Sequence, residues 1–106
     1  MASGILGQSA LSATTNTSVY TVPASTLSVV NVNILNRSTS SAALVRLAVA
    51  ATGTPNNAEY LGYDVSIPKS GVLERTGLAL NASKQIVVYA DTADVSVSVY
   101  GIEQAV

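Results

Sequence analysis

The sequence holds no cysteine, histidine, tryptophan or phenylalanine, and only 10% of its residues are charged. Without Cys there is no disulfide framework, no thiol chemistry and no zinc-thiolate site. Without His the commonest general base, proton shuttle and imidazole metal ligand are missing. Five Lys and Arg against six Asp and Glu leave a net charge of −1. That balance excludes nucleic-acid binding through a basic face, and it excludes an acidic tail. The longest apolar run, Leu47 to Ala51, falls far short of the roughly 18 residues that span a bilayer. Met1-Ala2-Ser3-Gly4 has no positive n-region, so a soluble chain made in a cytoplasm, with no membrane partner, is expected.

What is present is a β-forming alphabet. The chain has 106 residues, of which 48% are apolar, so it is expected to fold as one domain over 1–106 rather than stay disordered. The composition is biased towards Val, Ala, Ser, Thr and Asn. Val and Thr suit a pleated surface, while Asn, Ser and Gly suit turns. In Val95-Ser96-Val97-Ser98-Val99-Tyr100 the valines share one face. Val30, Val32 and Ile34 do the same in a second run, and Val45, Leu47 and Val49 in a third. No segment repeats at the helical period. The punctuation divides the chain into about eight strands. They are Ile5–Leu11, Ser18–Val22, Leu27–Leu35, Ala43–Ala50, Tyr60–Ile67, Val72–Leu80, Gln85–Tyr89 and Val95–Ile102. The expected architecture is an antiparallel β-sandwich, jelly-roll-like, with Val30, Val32, Ile34, Val45, Leu47, Val49, Leu78, Leu80, Ile86, Val88, Val97 and Val99 in the core.

One strand breaks its own alternation. Unbroken pleating of Val72 to Leu80 would place Glu74 on the face of Val72, Leu78 and Leu80. Burying an unpaired carboxylate is costly, so a bulge at Thr76-Gly77 is expected. The bulge turns Glu74 outward, brings Leu73 to the core side and leaves Arg75 at the rim or in a subunit contact.

Chemistry-bearing groups are sparse. Asp64 and Glu74 flank one expected hairpin, but no nucleophile or base accompanies them. Asp91-Thr92-Ala93-Asp94 offers two carboxylates, too few for a calcium loop and ordinary for a turn. No catalytic residue, cofactor or metal is expected. The five tyrosines are the only aromatics. Tyr60 and Tyr63, three apart, are expected on opposite strand faces, one filling the core and the other exposed or in an interface. A soluble monomer carries about 25% charged residues, so the low value here points to a surface covered by other subunits. The nearly uncharged N-terminal stretch 1–17 is the candidate docking arm. Ile5, Leu6, Leu11, Tyr60, Tyr63 and Arg75 are the candidate interface residues.

The string Val19-Tyr20-Thr21-Val22-Pro23-Ala24 leads into Val29-Val30-Asn31-Val32-Asn33-Ile34-Leu35-Asn36-Arg37. Tyr63-Asp64, Ile67-Pro68 and Gly71-Val72-Leu73-Glu74-Arg75-Thr76-Gly77 follow, and Val95 to Glu103 closes the chain's last hairpin. Together these resemble the small β-sandwich virion structural proteins of tailed bacteriophages, of the decoration and tail-accessory type, with the LERTG stretch the most distinctive part. The resemblance implies a non-enzymatic virion protein whose partners are the major capsid protein or tail proteins. A capsid decoration (cement) protein, homo-oligomeric and trimeric, is the leading expectation. A tail, neck, baseplate or fibre-associated module, or one that binds a receptor or glycan, is the alternative.

Overall fold

The computed structural model describes residues 2–106. The chain runs through β1 (Ser3–Ala10), β2 (Thr17–Thr21), β3 (Thr26–Asn36) and β4 (Ala43–Ala50). A 3-10 turn at Asn57–Glu59 then precedes β5 (Tyr60–Ile67), β6 (Val72–Leu80), β7 (Gln85–Ala90) and β8 (Val95–Ala105). Two four-stranded antiparallel sheets result, ordered β1-β8-β3-β6 and β2-β7-β4-β5. β1 pairs with β8, β2 with β7, β3 with β6 and β4 with β5, and the β3–β8 and β4–β7 ladders complete the sheets. That is a jelly roll, an antiparallel ribbon rolled so that its successive strand pairs fall in alternate sheets.

Alternation decides which side each residue takes. Along β3, Val30, Val32 and Ile34 are buried while Val29, Asn31, Asn33 and Leu35 point away from the core. Val45 and Leu47 of β4, Ile86 and Val88 of β7, Leu80 of β6, and Val97 and Val99 of β8 join them in one aliphatic cluster between the sheets. Truncating Leu47 to Ala there costs about 2–5 kcal/mol. Val49 and Leu78, expected in the core, are only partly buried against it, because β6 is an edge strand and Val49 lies near the end of β4. One polar residue is sealed at the end of β3. Asn36 donates through Nδ2 to the carbonyls of Ser41, Ile67 and Pro68, and its Oδ1 accepts from the Ser38 N–H. Its side chain is fully satisfied, and it ties the β3–β4 turn to the β5–β6 connection.

The edges of both sheets are irregular. The interior ladders β3–β8 and β4–β7 run in unbroken register. Every edge strand carries extra residues: Leu6 in β1, Val19 in β2, Thr76-Gly77 opposite Asn31 in β6, and two bulges in β5. Bulges twist a strand and interrupt the row of free N–H and C=O groups that would accept another chain. The β6 bulge is where the parity of Glu74 requires one. Glu74 points outward, Leu73 packs against the core, and half-buried Arg75 lies on Leu73's side of the rim. Gly77 takes φ +67° there, and its N–H donates to Asn31 Oδ1.

The stretch expected as a docking arm is built into the sandwich. From Ser3 opposite Ile102 to Ala10 opposite Ser96 it is hydrogen-bonded along β8. Met1 lies outside the described residues. Leu11 is 3% exposed in the core, so it is not offered to a partner, and Leu6 packs against the same cluster. β1 also closes on β2, so tightly that a Cβ on Gly7 would collide with the Val19 carbonyl.

Candidate functional site

Two outward faces carry the exposed side chains. On the first sheet, Ile5 stands opposite Tyr100, which stands opposite Asn31. The next row is Ser3, Ile102, Val29 and Ala79, and the following rows are Gln8, Ser98, Asn33, Glu74 and Ala10, Ser96, Leu35, Val72. Ile5, Val29, Val72 and Ile102 are all exposed. Across these four rows Glu74 is the one charged side chain. A shallow cavity of about 310 Å³ lies over Gln8, Ser9, Ala10, Ser96, Val97 and Ser98, and the Gln8 amide donates to Ser98 Oγ across it.

The outer face of the second sheet is different. Arg46 of β4 stands between Tyr63 of β5 and Tyr89 of β7, its guanidinium 4.2 Å from one ring centre and 4.5 Å from the other. Its Nε donates to Asp64 Oδ1 at 2.7 Å. That charge-assisted bond raises the guanidinium further above its usual range, so it stays charged. Tyr60 meets Tyr63 edge-on with ring centres 5.0 Å apart. Below Tyr60 lie Ala48, Ala50 and Val87, buried although they face away from the main core.

The placement of Tyr60 and Tyr63 corrects the expectation of opposite faces. The pairing steps from Val45–Val65 to Leu47–Gly62 and then to Ala48–Tyr60, so β5 gains a residue twice. Asp64 sits at φ +51° within the first irregularity. The added residue that lies between the two tyrosines, Leu61, reverses parity and brings both rings to one side. Gly62, a glycine inside a strand pattern, is the sequence signal that marks such a site.

Asp64 and Glu74 do not converge. β5 and β6 belong to different sheets, so Pro68–Gly71 crosses the sandwich instead of closing a hairpin. The two carboxylates point outward from opposite faces. Asp91 accepts from the Leu44 N–H, and Asp94 accepts from the Thr92 hydroxyl, as turn residues do. Among the described residues, no group of three or more acidic, His or Cys side chains is placed to hold a metal ion, and no helix is long and apolar enough to cross a membrane.

Of the interface candidates, Ile5 and Tyr63 are well exposed, Tyr60 and Arg75 are half-buried, and Leu6 and Leu11 belong to the sandwich interior. Tyr89 and Arg46, which complete the aromatic cluster, had no local signal to mark them, since the contacts that join them lie across strands. The fold defines the class: an all-β jelly-roll sandwich of two four-stranded antiparallel sheets. No family model, characterised protein or solved structure matches the chain.

Proposed function

We propose that this chain is a non-enzymatic, multicopy structural subunit of a tailed-bacteriophage particle, and that it decorates the outside of the capsid. The observation that carries the reading is the outer face of the first sheet, which exposes Ile5, Val29, Ile102 and Val72 beside half-buried Tyr100 and small uncharged residues, with one carboxylate at its margin. Interface cores are depleted of charge and enriched in aromatic and aliphatic groups. The bulged edges favour docking through this face over strand addition. The resemblance of the LERTG stretch and its flanks to small virion proteins supplies the particle. In this reading the major capsid protein is the partner, and the decorating unit is a homo-oligomer, a trimer. Jelly rolls recur in viral coat proteins, which agrees with the proposal without carrying it.

The test places a positive charge in that face. Ser98→Lys leaves the core untouched and sets an ammonium beside Asn33 and Gln8. Wild-type chain is expected to co-sediment with particles in many copies and to map to the capsid shell in a reconstruction. The variant, with an unchanged far-ultraviolet spectrum, is expected to lose occupancy. Full occupancy of Ser98→Lys removes the face from the mechanism, and density in the tail alone removes the decoration role.

A further inference from the structure

The outer face of the second sheet carries chemistry that capsid docking does not need. We propose that Tyr63, Arg46 and Asp64, flanked by Tyr60 and Tyr89, form a binding site for a neutral saccharide. The site does not rest on the virion reading.

A pyranose presents an apolar C–H surface and a rim of hydroxyls that both donate and accept. Tyr63 supplies the platform: the residue is 56% exposed, with the Arg46 guanidinium over its ring and Tyr60 at right angles to it. Donor and acceptor lie next to it. Arg46 Nη1 has no protein partner among the described residues, and Asp64 Oδ2 receives only the long 3.5 Å contact from Nη2. A guanidinium and a carboxylate side by side offer both N–H donors and lone pairs to neighbouring hydroxyls.

The pair also limits what can bind. Arg46 is matched by Asp64 at 2.7 Å, and that carboxylate repels a phosphate, sulfate or uronate approaching the same spot. A protein partner of ordinary size would cover about 800 Å² on this side, yet the floor beside the rings, Ala48, Ala50 and Val87, is already sealed beneath Tyr60. A sugar fits the exposed ring and the ion pair without needing that floor.

The local backbone is unusual in the same place. Asp64 is a non-glycine residue held at φ +51°, and the extra residue Leu61 brings Tyr60 and Tyr63 to one face. Departures of this kind cluster at binding sites.

The test is an amide chemical-shift titration of the full chain with chitotetraose, cellotetraose, maltotetraose and mannotetraose at millimolar concentration. Saturable shifts centred on Arg46, Tyr60 to Asp64 and Tyr89 are expected with at least one of them. Binding should weaken about tenfold or more in Tyr63→Ala. Asp64→Asn, which tolerates the same backbone conformation, should weaken it comparably, while Tyr100→Ala on the opposite sheet should leave it unchanged. Saturable binding to none of the four overturns the proposal. So do shifts confined to the first sheet, or affinity retained in both site variants.

Discussion

The hydroxyl of Tyr20 on β2 donates a 2.6 Å hydrogen bond to Oε2 of Glu103 on β8, joining the two sheets near one end of the sandwich. Having given its only proton to the carboxylate, the phenol oxygen accepts from Ser28 Oγ at 2.7 Å. Oε1 of the same Glu103 accepts from the Ala2 N–H. One side chain therefore anchors the start of β1, and another closes β2 over β3.

Tyr20→Phe removes the oxygen that Ser28, fully buried, uses as its partner. Leaving a buried hydroxyl unsatisfied costs about 1–3 kcal/mol, and each kcal/mol lowers the melting temperature by about 4–8 °C in a domain of this size. Tyr100→Phe, on the outward face, should change stability by less than about 0.5 kcal/mol. Equal melting temperatures for the two variants would show that the Tyr20 network adds nothing.

The same phenol makes stability depend on alkaline pH. Burial, and then the hydrogen bond to Glu103, push the Tyr20 pKa from 10.0 up to about 12. The folded state thus prefers the neutral phenol. Its contribution is fully present below pH 10 and is lost as pH rises from 10 through about 12, where the unfolded chain ionises first. The urea midpoint of the wild type should fall across that window more steeply than that of Tyr20→Phe. Parallel curves for the two proteins would contradict it.

Local pattern carried much of this fold, and long-range pairing carried the rest. The valines of β8 declare their faces by simple alternation, and the conflict between Glu74 and Leu78 locates the β6 bulge. In β5 Gly62 marks the irregularity at Leu61, but the one at Asp64 was hidden because that residue takes a left-handed conformation that no glycine announces. The turn Pro68–Gly71 signals a reversal, but turn chemistry does not say which sheet receives the next strand. The low charge of residues 1–17 reads equally as an arm or as a strand. What decides is pairing between Ser3 and Ile102 at opposite ends of the chain. The aromatic cluster was half legible: Tyr60 and Tyr63 stand out, while Arg46 and Tyr89 join them only through registers that the topology sets.

At Gly7 and Gly101 close backbone approach leaves no room for a side chain. A Cβ at Gly7 would overlap the Val19 carbonyl, and one at Gly101 would overlap the Val29 carbonyl. Backbone cannot step aside as a flexible side chain can, so Gly7→Ala and Gly101→Ala should each cost about 1–3 kcal/mol. A Cβ at Gly53, in the β4–β5 loop, meets nothing within 4 Å. Gly53→Ala should be neutral or slightly stabilising, through a less flexible unfolded chain. Thermal melts of the three variants check the order, and a Gly7→Ala protein as stable as Gly53→Ala would refute the closure of β1 on β2.

The loop that delivers Tyr60 to its place should loosen in acid. Glu59 accepts from the Asn56 N–H at 2.9 Å and the Ala51 N–H at 3.0 Å, while Asn56 Oδ1 accepts from the Ala58 N–H. This capping box secures the 3-10 turn, and its bond to Ala51 pins the turn to the end of β4. The Asn56 bond, followed by the Ala51 bond, holds the Glu59 pKa below the usual carboxylate range. The ionised form is favoured in the fold, so its contribution is present above the ordinary glutamate range and disappears as pH falls through the lowered value. Glu59 lies at the surface, and the effect is expected to be local rather than a fall in overall stability. Amide exchange at Ala51 and Asn56, corrected for its intrinsic pH dependence, should lose protection in acid. Glu59→Gln, with one acceptor oxygen instead of two, should lose part of that protection already at neutral pH. Tyr60 resonances should shift in parallel as the ring loses its fixed seat over Ala48, Ala50 and Val87. Unchanged protection at both amides in the variant would mean that the loop is held by other contacts.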